Sequence, residues 1–220
     1  MTIVHPKADL LLSREEALDM LRKIERCGRI CYKSEDKITP TSYEDFIRGI
    51  IKRGHLSVIE HGSFTAIFVC DRGVTHELVR HRLASYSQES TRYVKYNDIE
   101  VVAPEAILVS SQRDALEAFG QAMSDSQDAY LKLIGLGFKP EIARAVLPTG
   151  LKTEIAVTAN LREWRHIFEM RCSQYAHPQI RQIMISLLKQ VQAIIPVVFQ
   201  DFRIDEDRGI AFTINSERTD

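Results

Sequence analysis

Apolar residues recur at helical spacing over most of the chain, while β-branched and aromatic residues gather in a few shorter runs. Ser13 and Glu16 stand at capping-box spacing, and Ala17, Leu18, Leu21 and Ile24 follow on one face, which predicts a helix over residues 14–27. A second helix starts near Ser42, buries Phe46, Ile47, Ile50 and Ile51, and stops at Gly54, a residue suited to the left-handed position after a helix. The pattern predicts a long helix over 111–136 ending at Gly137, then a short one from Pro140 through Val146, halted before Pro148. Leu161, Trp164, Phe168 and Met170 mark a helix over 160–171. Pro178 opens the last long helix, apolar at Ile180, Ile183, Leu187, Val191 and Ile194.

Strands are expected over 63–70, 152–159 and 209–214, with 94–102 extended as far as Pro104. Asp71, Arg72 and Gly73 are expected to turn the first strand into a helix that carries Arg80, and the tail over 216–220 should fray. These elements do not alternate as regular βαβ units, so the expected class is α+β: a mixed sheet packed with long helices, as a single domain over 1–220.

Composition adds limits. With 220 residues, 45% hydrophobic and 27% charged, the chain can bury a full core, and a net charge of −1 creates no long-range field toward nucleic acid or an anionic membrane. The first seven residues lack the apolar centre of a signal peptide, and no run approaches the roughly 20 apolar residues of a membrane span. A cytoplasmic location is therefore expected. The four cysteines form no CxxC pair and are expected to be reduced thiols, with Cys27 and Cys31 as small buried hydrophobes.

The most unusual stretch spans residues 80–93, Arg-His-Arg-Leu-Ala-Ser-Tyr-Ser-Gln-Glu-Ser-Thr-Arg-Tyr. Planar guanidinium groups, hydroxyls and backbone N–H groups of a polar loop suit phosphates and flat heterocycles, so the stretch points to a nucleotide. On a helix, Arg80, His81 and Arg82 would fan out about 100° apart, as if serving the wall between two ligands. A zinc-protease reading of His76, Glu77 and His81 fails on spacing, because five residues place the histidines about 140° apart on a helix.

Other candidates lie far away in sequence. His55, Glu60 and His61 precede the first strand; Asn160 stands at a helix start with Arg162 and His166 on one face, and ion pairing among Glu163, Arg165 and Glu169 accounts for part of that helix. Arg144 sits among apolar neighbours and needs a partner, with Glu141, Glu154 or an anionic ligand as the choices. Arg171 ends a helix beside Cys172, which is either a nucleophile activated by that cation or a buried, inert thiol.

These residues together resemble flavin-dependent thymidylate synthase, whose signature is Arg-His-Arg, seven residues, then Ser, matched here by Arg80-His81-Arg82 and Ser90. The resemblance extends through the 55–61 loop, Arg144-Ala145-Val146-Leu147-Pro148, and 160–171 with the Ala-His-Pro-Gln that follows. It implies reductive methylation of dUMP to dTMP, with methylenetetrahydrofolate as one-carbon donor and FAD, reduced by NADPH, as hydride source. By position it assigns Ser57, Arg80, His81, Arg82, Gln88, Asn160, Arg162 and His166 to FAD. It assigns Glu77, Arg80, Gln88, Glu89, Ser90, Thr91, Arg92, Arg144 and Arg171 to dUMP, and no residue to a metal. Arg171 would lie against the uracil ring and favour ionisation at N3, so that no cysteine nucleophile is needed. The family pattern also implies a homotetramer with sites shared between subunits. Glu77, Gln88 and His166 stand where glutamine, glutamate and asparagine are frequent in the family. The rivals from other classes are a nucleotide or single-stranded RNA-binding module using the same arginines and tyrosines, and a zinc hydrolase.

Overall fold

A computed structural model of the protein describes residues 1–214, so the tail expected to fray lies outside the described residues. In chain order the elements are β1 (Thr2–Ile3), β2 (Lys7–Leu11), α1 (Arg14–Ile30), α2 (Tyr43–Lys52), β3 (Ser63–Asp71), α3 (Arg72–Leu78), β4 (Ala84–Gln88) and β5 (Glu100–Val101). They continue with α4 (Glu105–Leu108), α5 (Arg113–Gly135), α6 (Pro140–Ala143), β6 (Lys152–Asn160), α7 (Leu161–Arg171), α8 (Pro178–Ile194), α9 (Pro196–Phe199), β7 (Phe202–Asp205) and β8 (Ile210–Thr213). The class is α+β, as expected. The strands, however, are divided among three small sheets: β2-β3-β6-β4, a parallel β1-β5 pair, and an antiparallel β7-β8 pair.

The chain folds into two compact units, the first made of Met1–Lys7, Phe68–Arg80 and Ser87–Ala156, the second of Ala8–Ile67, His81–Tyr86 and the chain from Val157 on. In the first unit, Ile99, Val101 and Leu151 are fully buried, with Ile3, Tyr96, Phe119 and Met123 packed around them. Gly137 closes α5 at φ +91°, a value that glycine adopts without the steric penalty a Cβ would bring.

The second unit is organised by aromatic rings. Trp164 of α7 stacks on Phe64 of β3 at 4.6 Å between centroids, and its indole N–H donates to the Phe64 carbonyl at 3.1 Å. Phe168, Phe199 and Phe202 continue the cluster in edge-on and tilted contacts. Each such buried ring contributes on the order of 1.5–3 kcal/mol by area. Helix α1 opens with the expected capping box, in which Ser13 accepts from the Glu16 N–H and the Glu16 carboxylate accepts from the Ser13 N–H. Gly54 follows α2 at φ +72°.

The fold departs from the sequence pattern in several places. Helix α3 ends at Leu78, so Arg80, His81 and Arg82 follow it in a turn and do not fan around a helix; instead His81 is buried while Arg80 and Arg82 are exposed. The stretch expected to be a polar loop is partly strand β4, at the edge of its sheet. Its side chains alternate in burial without one aliphatic anchor beyond Ala84, which hid the period of two. Only Glu100–Val101 of the expected extension over 94–102 is a strand. Cys31 is exposed and Cys27 half-buried, because α1 continues past residue 27 to Ile30 and carries its C-cap out to Cys31. Phe46 and Ile51 are half-buried, leaving Ile47 and Ile50 as the buried residues of α2. Strands β1, β2 and β7 and the short helix α9 were not expected, being too brief for a periodic signal.

Gly62 is a glycine for space. A Cβ there would lie 2.7 Å from Ile24 Cδ1 and 2.9 Å from Met20 Cγ, inside the packed face of α1. Gly62→Ala is expected to destabilise the protein by about 1–3 kcal/mol through overpacking. Gly120→Ala, on α5 with nothing within 4 Å of its added Cβ, should instead stabilise it by about 0.5–1 kcal/mol. Urea unfolding of the two variants beside the parent chain checks both signs.

Candidate active site

In the first unit, β4 ends in a tight polar cluster. Gln88 donates through Nε2 to the buried hydroxyls of Thr75, at 3.0 Å, and Thr153, at 3.3 Å. The Glu89 carboxylate accepts from the Tyr96 hydroxyl at 2.6 Å and lies 3.8 Å from Lys152, which also reaches Glu154 at 3.0 Å and Glu100 at 3.3 Å. Burial and that hydrogen bond push the Tyr96 phenol well above its usual range, so it remains a donor. The Glu89 N–H donates to the Glu154 carbonyl, and Arg72 approaches the Glu89 carbonyl at 3.4 Å. This bonding fixes the backbone that leads into the turn at Ser90.

In that turn, Ser90 Oγ accepts from the Arg92 N–H, and Thr91 is buried with its hydroxyl accepting from Arg144 Nη1 at 3.2 Å. Arg144 is itself exposed. The partner sought for it is thus Thr91, and the contact brings Arg144 beside the segment 90–92, where Arg92 is also exposed and lies over Tyr93. Two guanidinium groups, hydroxyls and turn N–H groups in one place suit a phosphate. Glu77 is half-buried on α3, and its carbonyl accepts from the Arg80 N–H.

The second unit places His81, 5% exposed, beside α7. Arg171 donates through Nε to His81 Nε2 at 2.9 Å, and Glu163 Oε1 lies 3.5 Å from His81 Nδ1. A guanidinium can only donate, so Nε2 must accept and the ring proton of neutral His81 must sit on Nδ1, facing Glu163. Burial first, then the charges of Arg171 and His166, push His81 down to about 4, which keeps it neutral near pH 7. The Tyr86 hydroxyl holds the loop by donating to the His81 carbonyl at 2.7 Å.

Glu163 also lines a cavity of about 530 Å³ whose walls include Asn160, Arg162, His166, Leu56 and Leu83. Strand β6 runs directly into α7, and Asn160 caps the helix by accepting from the Glu163 N–H at 2.9 Å. Arg162 and His166, one helical turn apart, therefore share the cavity wall, as their spacing predicted. Arg162 also pairs with Glu60 at 2.7 Å. Ser57 is exposed in the 3-10 turn Leu56–His61.

The expected ion pairing within α7 is replaced by pairs outside it. Arg165 forks onto Asp201 and donates to the Val198 carbonyl, and Glu163 faces His81. Cys172 is fully buried and burial pushes its thiol up to about 12, the inert reading of the two. Among the described residues no group of three His, Cys, Asp or Glu side chains could hold a metal ion.

Sequence reasoning missed Tyr96 and Lys152 as members of these clusters and read Glu163 only as an ion-pair partner within its helix. Glu60 stood among the candidates, and Leu83 and Tyr86 lay in the stretch over 80–93 without a role of their own; Tyr96 and Lys152 depend on folding.

Comparison with known proteins agrees with the geometry. The chain is 41% identical over 199 residues to the flavin-dependent thymidylate synthase of Mycolicibacterium gilvum (strain PYR-GCK), covering 82% of this chain and 79% of that protein. It is 36% identical over 219 residues to the one from Corynebacterium glutamicum, covering 91% and 86%. Its fold matches the crystal structure of the UMP/dUMP methylase PolB from Streptomyces cacaoi bound with 5-Br dUMP, with a TM-score of 0.75, 22% identity, and coverage of 91% and 96%. The sequence model of the Thy1 family, thymidylate synthase complementing protein, matches residues 15–197. With that span and those relatives, the chain belongs to the Thy1 family, that of the flavin-dependent thymidylate synthases.

Proposed function

We propose that this chain converts dUMP to dTMP as a cytoplasmic homotetramer with shared sites, folding as one domain over 1–220. The observation that carries the reading is the signature Arg80-His81-Arg82 with Ser90, together with a neutral His81 that holds the distant Arg171. Arg92, Arg144 and the turn at Ser90 and Thr91 hold the phosphate of dUMP, with Gln88, Glu89, Glu77 and Arg80 around the nucleoside. Free cysteines suit a reducing compartment, and no helix of the described residues is long and apolar enough to cross a membrane.

The cavity of the second unit fits part of a flavin dinucleotide. It offers Arg162, His166 and the amide of Asn160 as polar groups, with Glu60, Glu163, Arg165 and Glu169 also in its walls, and the side chains of Leu56 and Leu83, the latter 73% exposed, as an uncovered apolar surface for a flat ring. Ser57, Arg80, His81, Arg82 and Gln88 complete the set that the family pattern assigns to FAD, and subunit sharing supplies the walls that one chain lacks. When bound, FAD reduced by NADPH supplies the hydride, and methylenetetrahydrofolate supplies the one-carbon unit.

The protein's own part is positioning and charge. Arg171 sets a permanent cation against the uracil ring, where it favours loss of the N3 proton and makes C5 more nucleophilic. The adjacent thiol takes no part, because Cys172 is buried and protonated.

Purified protein is expected to show flavin absorbance bands and to oxidise NADPH faster when dUMP is added; absence of both would overturn the proposal. Cys172→Ala should keep turnover within about threefold, whereas Arg171→Ala should lose about 100-fold or more in kcat. Arg144→Ala is expected to raise KM for dUMP about 10-fold or more, the scale of one charged hydrogen bond, with the flavin spectrum unchanged.

A further inference from the structure

We propose that Glu163 is a positioning residue for Arg171, acting through the ring of His81. The inference rests on the reading of Arg171 given above and adds a residue that the reading did not use. Glu163 is 7% exposed on the first turn of α7, and a carboxylate so placed is costly unless something partners it. The helix start gives it some support, yet its Oε1 is directed at His81 Nδ1, 3.5 Å away, the outer edge of hydrogen-bond reach.

The consequence follows from proton positions. With the Glu163 carboxylate 3.5 Å from Nδ1 favouring the proton on that nitrogen, His81 presents a lone pair at Nε2, where Arg171 Nε–H donates at 2.9 Å. Without that carboxylate only the Arg171 contact holds the proton on Nδ1, and the balance between the two tautomers moves toward Nε2–H. Two N–H groups would then face each other, and the guanidinium would lose its Nε bond to His81.

The test compares Glu163→Gln with Glu163→Ala. A Gln amide oxygen still offers Nδ1–H an acceptor, so E163Q should keep kcat within about threefold, whereas E163A should lose about tenfold in kcat with KM for dUMP unchanged, both compared at saturating FAD because Glu163 also lines the cavity. Should E163A fail to fold, Glu163→Leu, closer to it in volume, replaces it. The second readout does not depend on activity: 1H–15N correlation of histidine-labelled protein should show His81 protonated at Nδ1 in the parent and E163Q, and shifted toward Nε2 in E163A or its Leu replacement. An unchanged tautomer, or E163Q as impaired as E163A, would overturn the inference. If the parent chain makes no dTMP, the functional reading fails, and the tautomer alone still decides whether Glu163 sets the His81 ring.

Discussion

The junction at Asn160 is the constraint on which the site in the second unit depends. Strand β6 passes into α7 without a single loop residue, because the last residue of the strand caps the helix through its own side chain. A direct junction leaves little freedom in the direction of α7. Trp164 then anchors the helix to β3 by stacking on Phe64 and bonding its carbonyl, and the Leu161 N–H donates to the Gly62 carbonyl. Arg162 and His166 follow on one face and Arg171 at the far end, so three basic side chains inherit one rigid placement.

Within that frame, His81 is where sequence chemistry becomes geometry. Burial removes its charge, and an arginine that can only donate fixes which of its nitrogens carries the proton. Two buried or half-buried basic groups can thus lie in contact without repelling, since only Arg171 is charged. A cationic group in such surroundings acts on a ligand more strongly than it would in water. The cysteine next door stays a packed, protonated thiol.

Much of this was legible in the chain. A capping box placed the start of α1 and glycines the ends of α2 and α5, because those signals are local and rest on orphan N–H groups and the left-handed region. The signature around Arg80 and the separate segments at Arg144 and Arg171 were legible too, since they are residue types at fixed spacing. Strand β4 was not, because both of its faces are polar or half-buried, so the alternation that identifies a strand carried no hydrophobic contrast.

The sequence by itself determined the helices, the α+β class and the inventory of arginines, hydroxyls and carboxylates available for binding a nucleotide. Tertiary structure decided which of them meet. That Arg144 turns to Thr91, that Arg165 belongs to Asp201 and not to its helical neighbours, and that Glu163 faces His81 are contacts between residues far apart in the chain, 36 positions in the case of Arg165 and Asp201. Their partners are selected by burial and by the need of each buried charge for a bond, and neither requirement leaves a mark in local spacing.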